Sequence, residues 1–139
     1  MPFKFDKELW DIGRKIEDET LPIINKYYES NFLRNENDIY DILDFCDNDS
    51  KKIVEIKGRR IASTDYEDTL ITASKVNEGL CRIDDGYRVF FVFVFTDKIY
   101  EMELQLDQEF KCRYTGTNCI QHYLIPIKDL KEINKDELE

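Results

Sequence analysis

The segment Lys51-Lys52-Ile53-Val54-Glu55-Ile56-Lys57-Gly58-Arg59-Arg60, at the middle of the 139-residue chain, decides the predicted fold. Apolar Val54 and Ile56 alternate with charged Glu55 and Lys57, and alternate side chains of a strand point to opposite faces. We therefore predict a strand over the first seven of these residues. It buries one face and carries a carboxylate and an amine together on the other, a pair that can hold a divalent metal beside a phosphate.

A β-hairpin is predicted to lead into this strand. Residues 47–50, Asp-Asn-Asp-Ser, are turn formers, and residues 39–46 before them have a strand pattern. If the loop has an even number of residues and is centred on this turn, Asp44 lies opposite Ile53.

The phase of the strands selects the partner of Glu55 and Lys57. In the predicted register Asp44 lies on the same face as these two side chains, which makes a set of two carboxylates and one lysine. Asp41 points to the opposite face unless a bulge or an odd loop shifts the phase. Asp41 therefore remains the alternative to Asp44.

The first periodic segment of the chain predicts an amphipathic helix. Between Lys7 and about Ser30 apolar residues recur every three or four positions. Pro22 lacks the N–H that would bond an earlier carbonyl, so we expect a kink or a restart there. Glu17 falls within an apolar stripe, which indicates either a functional carboxylate or an ordinary ion pair with Arg14 or Lys15.

The remaining pattern alternates strands with one further helix, and the whole chain, residues 1–139, is predicted to form a single domain. Seven uninterrupted apolar residues, 89–95, predict a central strand that is covered on both faces. In the next strand Met102, Leu104 and Leu106 are expected to point inward. The other predicted elements are a loop over 58–68, a short strand over 69–71, a helix over 73–84, strands over 99–106, 111–115 and 123–127, and a short helix from about 128.

The chain is acidic, with a formal net charge of −10 at pH 7. An acidic protein repels nucleic acid and gains little from counterion release. The charge is unevenly distributed, however, because residues 51–60 hold five basic side chains and one acid. We predict that this one basic segment is where the chain meets a phosphate backbone.

The cysteines and the single histidine do not predict a zinc site. Cys46, Cys81, Cys112 and Cys119 lie far apart without a Cys-x-x-Cys pair, and His122 has no partner at zinc-finger spacing. We expect His122 to have a structural role or to lie on the surface. The pattern shows no signal peptide and no apolar run of membrane-spanning length, so free thiols, no membrane partner and an intracellular, reducing compartment are expected.

An ordered series of motifs covers roughly residues 13–104. Its members are Gly13, Glu17, Leu21-Pro22, Asp44-Phe45, Glu55-Ile56-Lys57-Gly58-Arg59, Tyr66, Ser74-Lys75 and Phe95-Thr96-Asp97. The series resembles the PD-(D/E)xK nuclease superfamily and, more narrowly, small nuclease-like proteins of large DNA viruses and phages. Leu43 stands where many members have a proline before the aspartate, a departure that other members share.

The resemblance implies a restriction-endonuclease-like α/β fold. Such a fold has an αβββαβ core with a mixed central sheet flanked by helices, here with extra C-terminal strands. By the same resemblance Asp44 and Glu55 bind Mg²⁺ or Mn²⁺, the backbone carbonyl of Ile56 completes the metal shell, and Glu17 lies near the metal. Lys57 would be the catalytic lysine.

Three further basic residues are candidates for contacts with the nucleic acid. The resemblance implies that Lys75 reaches the scissile phosphate, whereas its position at a helix start alone indicates no role. Arg59 and Arg60 are either phosphate contacts or solvated loop charges, and phosphate contact is favoured for Arg59.

These observations together predict a Mg²⁺-dependent nuclease that hydrolyses phosphodiester bonds in DNA, including branched or otherwise structured DNA, with RNA as an alternative. The size is similar to that of archaeal Holliday-junction resolvases, which act as dimers, so a homodimer is a candidate assembly. A viral origin would place the protein in the cytoplasm or nucleus of the host cell. The alternative is a catalytically inactive module of the same fold that binds a basic protein partner through its acidic surface.

Overall fold

The computed structural model describes residues 6–35, 43–115 and 119–138, and within them the fold is α/β with two α-helices and two sheets. The elements in chain order are α1 (Lys7–Tyr27), β1 (Leu33–Arg34), β2 (Phe45–Asp47), β3 (Lys52–Gly58), β4 (Asp68–Thr72), α2 (Ala73–Asp84), β5 (Arg88–Val94), β6 (Ile99–Glu103), β7 (Lys111–Thr115), β8 (Ile120–Pro126), a 3-10 turn (Ile127–Asp129), β9 (Lys131–Ile133) and a second 3-10 turn (Lys135–Leu138).

The larger sheet is mixed and has six strands in the order β1-β2-β3-β5-β6-β9. Among the described strands of this sheet only the central pair, β3 and β5, is parallel, and every other neighbouring pair is antiparallel. The connection between the parallel strands contains β4 and α2, as a parallel pair requires a long crossover. Strand β4 belongs to a second, antiparallel sheet in the order β4-β8-β7.

Two apolar layers cover the two faces of the larger sheet. On one face Val54 and Ile56 of β3 pack with Ile24 of α1. On the other face Ile53 of β3 belongs to a layer with Val76 of α2 and with residues of the second sheet. The β5 side chains alternate between the two layers and five of them are buried, which confirms the prediction of a strand covered on both faces.

Helix α1 is continuous through Pro22, so of the two expected outcomes, a kink or a restart, the restart does not occur. It begins after Asp6, whose carboxylate accepts a hydrogen bond from the N–H of Leu9, a normal N-cap contact. Pro22 removes one backbone hydrogen bond only, and the fully buried Ile24 anchors the following turn to the sheet. The helix ends at Tyr27, three residues before the predicted end.

The predicted hairpin is present, but its register differs by two residues. Phe45 pairs with Val54 and Cys46 with Ile53, whereas the prediction placed Asp44 opposite Ile53. The turn has the four residues assumed but lies one position later, at 48–51, where the Asp47 carboxylate accepts hydrogen bonds from the N–H groups of residues 49 and 50. Asp44 precedes β2, and its backbone N–H, which donates to Oε2 of Glu55, places it beside that residue.

The chain bends at Leu43, so strand alternation does not extend backwards from β2. Asp41, the alternative to Asp44, lies outside the described residues. The expected bounds of α2 and β7 are confirmed. Strand β9 was not predicted, and Leu106 is exposed because β6 ends at Glu103, although Met102 and Leu104 are buried as expected.

Candidate active site around Glu55

Glu55 is a carboxylate in the middle of the sheet. It lies at the centre of β3, beside Phe91 of β5, and only 1% of it is exposed. A carboxylate in such a place requires compensating partners, because the loss of water disfavours its charged form.

Four polar groups converge on the Glu55 carboxylate. The backbone N–H of Asp44 donates to Oε2 at 3.0 Å. Lys75 Nζ lies 3.1 Å from Oε1, and Lys57 Nζ lies 3.4 Å from the same atom. The side chain of Asp44 is close enough that its negative charge acts on Glu55. The structure thus brings Asp44, Glu55, Lys57 and Lys75 together.

Glu17 reaches this group from the other side of the sheet. Helix α1 packs on the opposite face, but its Glu17 side chain lies close enough to Asp44 for the negative charge of Asp44 to act on it. Glu17 Oε1 lies 3.4 Å from Nη1 of Arg34, an ion pair that was not predicted, and Lys15 pairs with Glu19 instead. Three carboxylates, those of Glu17, Asp44 and Glu55, therefore influence one another.

Arg34 is a site residue that the sequence did not reveal. Its guanidinium also pairs with Asp18 at 2.8 Å and lies over the ring of Phe45, 4.8 Å from the centroid. It occupies β1, two residues long within a polar stretch, and only the pairing of β1 with β2 brings it to Glu17. A strand this short has no periodicity that could have identified it.

Two of the carboxylates are harder to ionise than usual. Burial, followed by the negative charge of Asp44, raises the pKa of Glu55 from 4.5 to about 7, although Lys75 and Lys57 oppose the shift. Burial and the neighbouring Asp44 also raise the pKa of Glu17 to about 7, against the lowering effect of Arg34. Strongly shifted pKa values in a cluster of this kind are characteristic of functional sites.

The donor atoms suit a hard divalent cation. The carboxylates of Glu55, Asp44 and Glu17 and the carbonyl of Ile56 provide oxygen only, the ligand type that Mg²⁺ selects. Oε1 of Glu55 is buried and, despite its two ammonium neighbours, has no hydrogen bond of good geometry. Within the described ranges no three acidic, histidine or cysteine side chains converge closely enough to enclose an ion. At most two of these three carboxylates could therefore contact one ion in the arrangement described.

The two arginines after β3 differ in their surroundings. Arg59 is half-buried, and its guanidinium donates to the hydroxyl of Thr69 and to the carbonyl of Leu70, so it connects β3 to β4. This structural role was not predicted from sequence. Arg60 is exposed at the start of the following loop. Phosphate contact by either arginine stays a prediction.

None of the four cysteines, all within the described part of the chain, forms a disulfide bond. Among the residues that the structure describes, no helix is long and apolar enough to cross a membrane. Comparisons with protein-family models, with curated proteins and with solved structures each give no match for this chain. The functional argument therefore depends on the geometry around Glu55.

Proposed function

We propose that the protein is a metal-dependent endonuclease that hydrolyses phosphodiester bonds in DNA. The observation that carries the proposal is the surroundings of Glu55. A carboxylate in the centre of a sheet faces two lysines and a second carboxylate, at an energetic cost that its raised pKa reveals. A cost of this kind is more readily understood in a site that binds a cation and a phosphate than in a structural ion pair.

The order and pairing of the elements support the proposal. Helix α1 precedes an antiparallel meander of β1, β2 and β3, and β5 follows α2 and pairs in parallel with β3. This order agrees with the αβββαβ core of the PD-(D/E)xK superfamily. Strand β4 is an addition to it, because it lies between β3 and α2 in the chain but joins the second sheet.

Each residue of the site has a chemical role in this proposal. Asp44, Glu55 and the carbonyl of Ile56 would hold the divalent cation, with Glu17 beside them. The ion would supply Lewis-acid polarisation of the phosphate and acidification of the attacking water.

The two lysines provide positive charge at the same place. Their side chains are 32% and 20% exposed for Lys57 and Lys75, so both ammonium groups can meet a phosphate from solvent. Lys57 would orient the water or stabilise the charge that develops on the phosphate, and Lys75 would hold a phosphate oxygen.

The test is a cleavage assay on linear, branched and single-stranded DNA and on RNA, in Mg²⁺, in Mn²⁺ and in EDTA. We expect metal-dependent cleavage that the double substitution Asp44→Ala, Glu55→Ala abolishes and that Lys57→Ala lowers by about 10²-fold or more. Glu103→Ala is the control, because Glu103 pairs with Arg88 elsewhere on the sheet. Absence of cleavage on every substrate, or equal cleavage by the double variant, would refute the proposal.

A catalytically inactive binding module is the second candidate. The net charge of −10 and the fact that two lysines already neutralise Glu55 favour it. Calorimetric titration with Mn²⁺ separates the two candidates. If the site is active, the wild-type protein binds Mn²⁺ and the Glu55→Ala variant does not. If the protein is an inactive scaffold, neither the wild type nor the variant binds the ion.

A further inference from the structure

The second sheet forms one wall of an open groove that begins at the candidate active site. The groove has a volume of about 750 Å³ and runs from Lys57 and Arg59, past Tyr66 and Leu70, to Arg113 and His122. Lys57 is therefore both a neighbour of Glu55 and a lining residue of the groove. A volume of this size is in the range of sites for small organic molecules.

The strand register explains which side chains face the groove. Arg113 of β7 pairs with His122 of β8, and His122 pairs with Thr72 of β4, so the three share one face of the second sheet. On the other face Ile71 and Ile125 are buried in the core. The groove face is thus the outer face of this sheet.

The hairpin that contributes this wall is a second basic segment, which corrects the prediction of a single one. Residues 110–128 contain Lys111, Arg113 and Lys128 but no aspartate or glutamate, in a chain that has 30 acidic residues. The groove is lined by three basic residues, Lys57, Arg59 and Arg113, and by two acidic ones, Glu67 and Asp68. The excess of positive charge inside the groove is therefore small.

Its aromatic and apolar lining indicates what the groove accepts. Tyr66 is 66% exposed at its edge, and Leu70 and Leu124 contribute apolar surface along its wall. A duplex presents sugars, phosphates and base edges, and its binding depends on neutralising many phosphates. An unpaired nucleotide also presents the flat face of its base, which stacks on aromatic side chains and contacts apolar surface.

From this lining we infer that the groove binds a single-stranded segment of nucleic acid, with an unpaired base against Tyr66 and its phosphates between Lys57 and Arg113. This inference rests on the proposed function, because it makes the groove the path along which the strand reaches Glu55. It narrows the substrate class to single strands, flaps and frayed ends.

The test is binding without cleavage, by fluorescence anisotropy in EDTA with a labelled 12-nucleotide single strand and the matching 12-base-pair duplex. We expect the single strand to bind at least tenfold more tightly. Tyr66→Ala should weaken single-strand binding about tenfold, as expected for loss of one stacked base. Arg113→Glu should weaken it by a similar factor and reduce its salt dependence.

Two control variants match these changes. Tyr114 has the same exposure, 65%, but is adjacent to Arg113 on the strand and so points away from the groove, and Tyr114→Ala should bind normally. Lys15→Glu makes the same charge reversal on the exposed surface of α1 and should also bind normally. Preference for duplex, no binding to either probe, or equal losses in Tyr66→Ala and Tyr114→Ala would overturn the inference.

The cleavage assay keeps this inference separate from the proposed function. If the protein cleaves DNA but Tyr66→Ala and Arg113→Glu do not affect single-strand binding, the inference about the groove is wrong. The proposal of nuclease activity is then still supported. Binding that depends on both residues, without cleavage in Mg²⁺ or Mn²⁺, contradicts the nuclease proposal and leaves the groove standing.

Discussion

At the residue scale, Glu55 lowers the stability of the fold when it is ionised, and it is also the central group of the candidate active site. Its carboxylate is the most deeply buried ionisable group of the candidate site, and its neighbours include both attractive lysines and the repulsive Asp44. The raised pKa means that burial and repulsion together exceed the attraction of the lysines. A residue that destabilises the folded state when ionised is typical of a site retained for function.

The folding stability should therefore depend on Glu55 in a defined pH window. The native pKa of about 7 exceeds the ordinary value of 4.5, so the folded protein binds a proton between these pH values that the unfolded chain has released. The free energy of unfolding then falls as the pH rises from about 4.5 to 7, by about 3 kcal/mol from this group. Glu17 adds a fall in the same direction.

We predict that Glu55→Gln removes a large part of this pH dependence and raises the stability at pH 8. The measurement is urea unfolding of wild type and variant from pH 4.5 to 8. The control is Glu103→Gln, because hydrogen bonds from Arg88 lower the pKa of Glu103 and its substitution should not stabilise the protein. A Gln variant that retains the full wild-type slope would contradict the assignment of the pKa shift to Glu55.

At the scale of elements, the contact between α1 and the end of β3 positions the site. A Cβ atom on Gly58 would lie 2.6 Å from Cδ1 and 3.3 Å from Cγ2 of Ile16, closer than van der Waals contact allows. Glycine therefore lets the helix approach the strand closely. Because Glu17 follows Ile16, this approach also sets how far Glu17 reaches towards Asp44.

We predict that Gly58→Ala destabilises the protein by about 1 kcal/mol, the lower end of the cost of overpacking, because the closest atom is the movable Cδ1 of Ile16. Its metal affinity should also fall if Glu17 contributes to binding. Gly13→Ala in the same helix is the matched control, since a Cβ there meets nothing within 4 Å. That variant should be stabilised by about 0.5–1 kcal/mol. Thermal unfolding of both variants measures the contrast, and equal effects would refute the steric explanation.

The elements with a clear period could be predicted from sequence, and the contacts that complete the site could not. Glu55 and Lys57 follow from strand alternation, and Asp44 lies beside Glu55 although the register of the hairpin differs from the prediction by two residues. The role of Arg34 could not be predicted because β1, with two residues, is too short to show a periodic pattern. The groove could not be predicted either, because the sequence does not show that β4 pairs with β8 in a separate sheet.

At the scale of the whole molecule, two sets of carboxyl groups oppose each other in their effect on stability. Hydrogen bonds lower the pKa values of Asp47, Asp97 and Glu103, so their contribution is present above their ordinary pKa values and is lost at acid pH. The candidate site contributes a fall in stability above about pH 4.5. The stability of the metal-free protein should therefore be greatest near pH 4–5.

A bound divalent ion should offset part of the fall in stability that the raised pKa values of Glu55 and Glu17 cause at higher pH. The ion binds ionised carboxylates and competes with protons for them. At ten times its dissociation constant it adds about 1.4 kcal/mol, which raises the melting temperature by about 4 °C at pH 8 and by much less at pH 5. Differential scanning calorimetry with MgCl₂, against NaCl of equal ionic strength and against Glu55→Ala, measures this effect. Equal shifts at both pH values would argue against a site made of these carboxylates.

The parallel pairing of β3 with β5 also has a consequence for the kinetics of folding. Glu55 is aligned with Phe91, a residue 36 positions away in the chain, so the carboxylate loses its water only when a long loop has closed. An ionised Glu55 makes that docking step less favourable than a protonated one. The burial of ionised Glu55 should therefore slow the step in which β3 pairs with β5. Refolding should be slower at pH 8 than at pH 5.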